Sequence, residues 1–126
     1  VAATFGPYTP VRRTGALDEL YVTSGQVGVD PNTKQAVKDV AGQTKQALEN
    51  LKGILATEGL SMDDVVKVTV FLADMGDFAA MNEAYETFFN APRPARTTVA
   101  VKELPRLADA PLLIEVEAMA AKGSAR

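Results

Sequence analysis

Hydrophobic positions along the chain follow two different spacings. At Leu20-Tyr21-Val22-Thr23, and more strongly at Val65-Val66-Lys67-Val68-Thr69-Val70-Phe71-Leu72, β-branched and aromatic residues crowd together, which predicts strands. Between them Val40, Ala47, Leu48, Leu51, Ile54 and Leu55 recur at intervals of three and four, the spacing of one buried helix face. Asp39 is placed to cap that helix and Gly59 to stop it, while Lys45, Glu49, Lys52 and Glu58 form its solvated side. Ser61 followed by Asp64 predicts a short capped turn before the strong strand.

A second helix is predicted from Asp77, with Phe78, Met81, Tyr85, Phe88 and Phe89 as a core-facing stripe and Pro92 and Pro94 as its end. Two further strands are expected at 96–102 and 112–120, joined by the Pro-bounded loop 105–111. The stretch from Pro10 to Val29 reads as a strand pair, with a turn at Gly15, closed by the turn Asp30-Pro31-Asn32-Thr33. The order of elements predicts an α+β fold with a mixed sheet and both helices on one face. On the other face Lys67, Thr69 and Phe71 oppose Val68, Val70 and Leu72, and Thr97, Val99 and Val101 oppose Arg96, Thr98, Ala100 and Lys102. A face so mixed in polarity is expected to be covered by another copy of the chain.

Length and composition sharpen this picture. The 126 residues fit one domain spanning 1–126, and 47% hydrophobic content supplies a core for it. Thirteen basic against sixteen acidic residues, a net charge of -3, argue against nucleic acid as partner, because phosphate binding needs concentrated positive charge. Apolar runs fall well short of a membrane span, and the first residues lack the pattern of a secretory signal. Cys, His and Trp are all absent from the chain. A Ser-His-Asp triad, a cysteine nucleophile, a Cys/His zinc site and a disulfide are therefore excluded within it, which is compatible with a reducing cytoplasm. Chemistry is left to carboxylates, Arg, Lys, Tyr, hydroxyls, amides, backbone groups and water.

Arg96 follows Pro94-Ala95 at the start of a strand, where a planar guanidinium could hold a carboxylate through two oxygens; a surface arginine is the plain alternative. Glu115 and Glu117 share one face of the last strand, either as solvated acids or with one partly buried, paired with Arg96 or positioning water. Tyr8, Ser24, Gly25 and Asn82 are individually ambiguous between local structure and a site.

Taken together, Gly6-Pro7-Tyr8, Thr23-Ser24-Gly25-Gln26, Gln43 with Glu49-Asn50-Leu51, Val66 to Leu72, Asp77-Phe78 with Asn82, Tyr85 and Phe88-Phe89, Pro94-Ala95-Arg96-Thr97, and Ile114-Glu115-Val116-Glu117-Ala118 resemble the RidA family, also called YjgF or reactive intermediate deaminase, over nearly the whole length. The resemblance implies a chorismate mutase-like fold, a homotrimer with sites between subunits, and hydrolysis of small 2-imino acids such as 2-iminopropanoate and 2-iminobutanoate, or their enamine tautomers, to 2-oxo acids and ammonia. It implies no cofactor and no metal. By its motifs Arg96 grips the substrate carboxylate, Glu115 attends the attacking water, and Tyr8, Ser24, Gly25 and Asn82 line the pocket; Thr98, beside Arg96, stands where some members carry Cys. The connection 89–94 is shorter, and 107–113 longer, than is usual there. A module that binds a small carboxylate metabolite without turnover is the rival expectation.

Overall fold

The computed structural model describes residues 4–123. Strands β1 (Glu19–Val22) and β2 (Gln26–Val27) are followed by helix α1 (Val40–Thr57), strand β3 (Val65–Leu72), helix α2 (Phe78–Tyr85), and strands β4 (Ala95–Ala100) and β5 (Ile114–Lys122). The sheet runs β1-β5-β3-β4, with β3 and β4 parallel and β5 antiparallel to β3 and β1. It is the mixed α+β sheet that the sequence predicts.

The predicted strand pair before Asp30 takes another form. β1 and β2 do not pair with each other; both lie along β5, Leu20 opposite Ala121 and Gln26 opposite Val116. Residues 23–25 interrupt what is otherwise one edge strand, held there by the Thr23 amide donating to the Ala118 carbonyl and the Ala118 amide donating to Thr23 Oγ1. The turn after β2 forms as expected, with Asp30 Oδ1 accepting from the Asn32 amide.

α1 begins where Asp39 accepts the Gly42 amide and ends ahead of Gly59, whose φ of +73° suits glycine. Val40, Ala47, Leu48, Leu51 and Leu55 are buried as the spacing requires, but Ile54 is exposed. The Ser61–Asp64 capping box closes the following 3₁₀ turn. α2 is shorter than its hydrophobic stripe: it gives way to a 3₁₀ turn at Glu86–Phe88, so Pro92 and Pro94 lie beyond its end. Asp77 makes no side-chain cap; Asp74 instead accepts from Gly76, opening the preceding turn. Met81, Tyr85 and Phe89 nevertheless reach the core.

That core lies between the helices and one face of the sheet. Val68, Val70 and Leu72 of β3 and Ile114 and Val116 of β5 are wholly buried against Leu48 and Leu51. Burying side chains of this size contributes about 1.5–3 kcal/mol each. The opposite face carries no helix and presents Lys67, Thr69 and Phe71 beside Met119, Glu117 and Glu115, with Val22, Met119 and Val99 exposed among them.

Candidate functional site

The polar side chains in the core separate one residue from the others. Buried Gln43 and Thr44 are hydrogen bonded, Thr44 Oγ1 donating to the Val40 carbonyl at 2.7 Å. Arg96 is only 8% exposed, yet its Nε and one Nη have no partner. A buried cation with idle donors is costly unless something else requires it.

β4 aims Arg96 inward. It lies opposite Val68, so its side chain leaves the sheet on the helix face. There the guanidinium carbon sits 4.8 Å from the Tyr85 ring centre, 5.0 Å from Tyr8 and 5.7 Å from Phe78. The three rings offset part of the desolvation through their negative faces. Burial still lowers the Arg96 pKa, with Tyr85 and Tyr8 pulling the other way, and it raises that of Tyr85 above the usual phenol range despite Arg96 and Arg93. The remaining guanidinium nitrogen contacts Met81 Sδ at 3.9 Å, too soft an acceptor to satisfy it.

The N-terminal segment closes one wall. Gly6 adopts φ +152°, and a Cβ there would stand 2.9 Å from an Arg96 Nη and 3.0 Å from the Asn82 amide, so only glycine allows this approach. Asn82 Nδ2 donates to the Phe5 carbonyl at 3.4 Å, while its Oδ1 is buried without a donor. Tyr8 accepts the Phe5 amide on its hydroxyl at 3.0 Å. Thr98, two residues beyond Arg96 on the same face, also has a buried Oγ1 without partner. An open cleft of about 360 Å³ lies over these groups, lined by Phe5, Tyr8, Met75, Phe78, Arg96 and Thr98. Idle guanidinium donors, two idle oxygens and apolar walls suit a small anion with a short side chain.

Glu115 lies elsewhere. It pairs with Phe71 and Val27, so it projects from the helix-free face, with Glu117 beside it. Its carboxylate packs over Gly25, where any Cβ would collide with it; Ser24, next in the chain, is exposed. Two strands across and three residues along put the Arg96 and Glu115 backbones roughly 14 Å apart, with side chains on opposite faces. The expected Arg96–Glu115 pair is therefore absent within one chain, because β-strand alternation sends the two residues opposite ways.

Of the anticipated residues, Tyr8, Arg96 and Thr98 line the cleft, with Asn82 behind them against Gly6 and Phe5, and Gly25, Glu115 and Ser24 lie on the bare-face side. Phe78, Tyr85 and Met81, read from periodicity as core, also form the cage around Arg96; their stripe looks the same in sequence for either purpose. A second cleft, of about 400 Å³ along residues 103–112, is lined by the exposed Arg106–Glu103 ion pair at 3.6 Å, by Asp109 and by apolar residues. Among the described residues no group of acidic side chains could hold a metal ion, and no helix is long and apolar enough to cross a membrane.

The chain matches the model of the family described as Endoribonuclease L-PSP over residues 2–122. It is 47% identical over 118 residues to a RutC family protein of Pyrococcus horikoshii, covering 93% of this chain and 88% of that one. It is 43% identical over 123 residues to the 2-iminobutanoate/2-iminopropanoate deaminase of Salmonella typhimurium, covering 95% and 91%. The crystal structure of E. coli TdcF with bound serine superposes with a TM-score of 0.77 at 38% identity, over 95% of this chain and 91% of that one.

Proposed function

Since the chain belongs to the RidA (YjgF) family, the group covered by the Endoribonuclease L-PSP model, we propose that it hydrolyses small 2-imino acids, or their enamine tautomers, to 2-oxo acids and ammonia. The observation that carries this reading is the caged Arg96 with unpartnered donors over a small, mostly apolar cleft. A relative holding serine, another short α-amino acid skeleton, agrees with a ligand of this size.

In this reading Arg96 takes the substrate carboxylate on Nε and Nη2, and Asn82 Oδ1 accepts the imine N–H. Thr98 and Tyr8 border the same cleft, with Ser24 and Gly25 on the Glu115 side. Fixing the carboxylate holds the C=N carbon in place and supplies the proximity term. Glu115 orients a water whose oxygen bonds to that carbon as the C=N π pair moves to nitrogen, which takes up a proton. The resulting carbinolamine loses ammonia as its C–N bond breaks, its hydroxyl proton passes to the departing nitrogen, and the C=O bond forms. Oxidation states are unchanged and the chain's own groups suffice.

Arg96 and Glu115 cannot meet in one chain, so the complete site is composite. The Arg96 side of one copy faces the Glu115 side of the next. Two unlike half-sites on one chain make a heterologous contact, which gives a ring where its rotation closes. The exposed Val22, Met119 and Val99 give the helix-free face apolar area to bury in it. We take the ring to be the homotrimer that the resemblance implies, acting in the cytoplasm. The net charge of -3 makes a nucleic acid a poor substrate.

The test generates 2-iminobutanoate in place with a threonine dehydratase and lets semicarbazide compete for it. Faster 2-oxobutanoate release with this protein than without it, lost on Arg96→Met, supports the proposal. Binding of 2-oxobutanoate with no acceleration would replace it with the carboxylate-binding reading.

A further inference from the structure

Gln43 lies on the first turn of α1 and is fully buried. Its Nε2 donates to the Val37 carbonyl at 2.9 Å and the Pro111 carbonyl at 3.0 Å, and its Oε1 accepts the Leu113 amide at 2.7 Å. Both donors and one acceptor site of the amide are thereby used. The bonds reach into two different segments. Leu113 stands two residues before Glu115, where the long loop ends and β5 begins, and its carbonyl accepts the Ala73 amide at 3.0 Å. Val37 returns from the turn after β2 and donates to the Gly28 carbonyl at 3.0 Å. Gly28 in turn lies flat on the Gln43 backbone, so close that a Cβ there would be 2.5 Å from Gln43 Cα.

This side chain thus adds a second tie, beside the β2–β5 pairing, between the segment that carries Gly25 and the segment that carries Glu115. It also holds the chain on either side of Leu112, at Pro111 and Leu113, where the loop 103–112 meets β5. We infer that Gln43 is a positioning residue that sets the Glu115 carboxylate over Gly25 for attack on the substrate. This rests on the reading of Glu115 in the proposed function. No Gln43 bond reaches the Arg96 cleft, so the two halves of the site separate experimentally.

The test compares Gln43→Met, close in volume but without the hydrogen bonds, with the intact protein on 2-iminobutanoate. The expected result is a kcat lower by about tenfold, since a small misplacement of a reacting group is costly in rate. KM and the rise in Tm on adding 2-oxobutanoate, which report the Arg96 half, should stay as they were. Amide exchange at Leu113 should quicken. An unchanged kcat overturns the inference. So does a fall in kcat accompanied by a raised KM and a smaller 2-oxobutanoate shift, which would mark Gln43 as a general folding residue. If the methionine variant fails to fold, Gln43→Asn, one methylene shorter, must show the same split. Glu115→Gln run alongside separates the claims: if it hydrolyses like the intact protein, the Glu115 reading fails, whereas a slow Glu115→Gln with a normal Gln43→Met defeats the positioning role alone.

Discussion

Arg96 and Glu115 occupy surroundings of opposite kinds. Arg96 is sealed between three rings on the helix side of the sheet, with donors idle and its charge disfavoured by burial. Glu115 is half-buried on the bare side, resting over a glycine. The first is a complete binding element in one chain. The second has nothing in its own chain to act on. In the proposed reading, carboxylate recognition is built by folding, while hydrolysis waits on assembly.

Changes that break this contrast are ordered by their expected size. Glu115→Gln removes a proton-handling group, so kcat should fall by about 10²–10⁴ with KM little altered, read by steady-state kinetics on 2-iminobutanoate. Arg96→Met removes the anion's partner and should lower kcat/KM by about a hundredfold. Its stability should move the other way. Because burial lowers the Arg96 pKa, the unfolded chain holds that proton more tightly than the native one, and stability rises only as pH climbs through the lowered value. At neutral pH the charge is a net cost, so the Tm of Arg96→Met should equal or exceed that of the parent. Gly25→Ala places a Cβ against the Glu115 carboxylate and should reduce kcat about tenfold without affecting KM. Smallest of all, saturating 2-oxobutanoate should raise Tm by a few degrees, about 2–3 kcal/mol of linkage at a hundred times Kd, in the parent and Glu115→Gln but not in Arg96→Met.

Much of the fold was legible because its determinants are local. The Asp39 cap, the Gly59 stop, the Ser61–Asp64 box and the alternation in β3 are each written within a few residues. The partners of β1 and β2 were not legible, since they are set by β5 almost a hundred residues later. α2 ends early for the reason that a hydrophobic stripe does not distinguish an α-helix from the 3₁₀ turn that continues it.

The site was legible in part. Arg96 announced itself by its place after Pro94-Ala95, and Glu115 by an acid within an apolar strand. Their separation was implicit in strand alternation too, but only the register of β4 and β5 on β3 fixes which face each takes. The bonds of Gln43 to Pro111 and Leu113 span about seventy residues and leave no trace in local sequence.

The most direct measurement mixes the two damaged halves. Arg96→Met and Glu115→Gln chains, each inactive alone, are co-expressed in equal amounts with different tags and purified through both. If every site takes Arg96 from one copy and Glu115 from its neighbour, a three-membered ring that carries both chains has one intact site of its three, and imine hydrolysis should return to about one third of the parent. Mixed assemblies as inactive as either variant would show that both residues must come from one chain, contradicting the composite site.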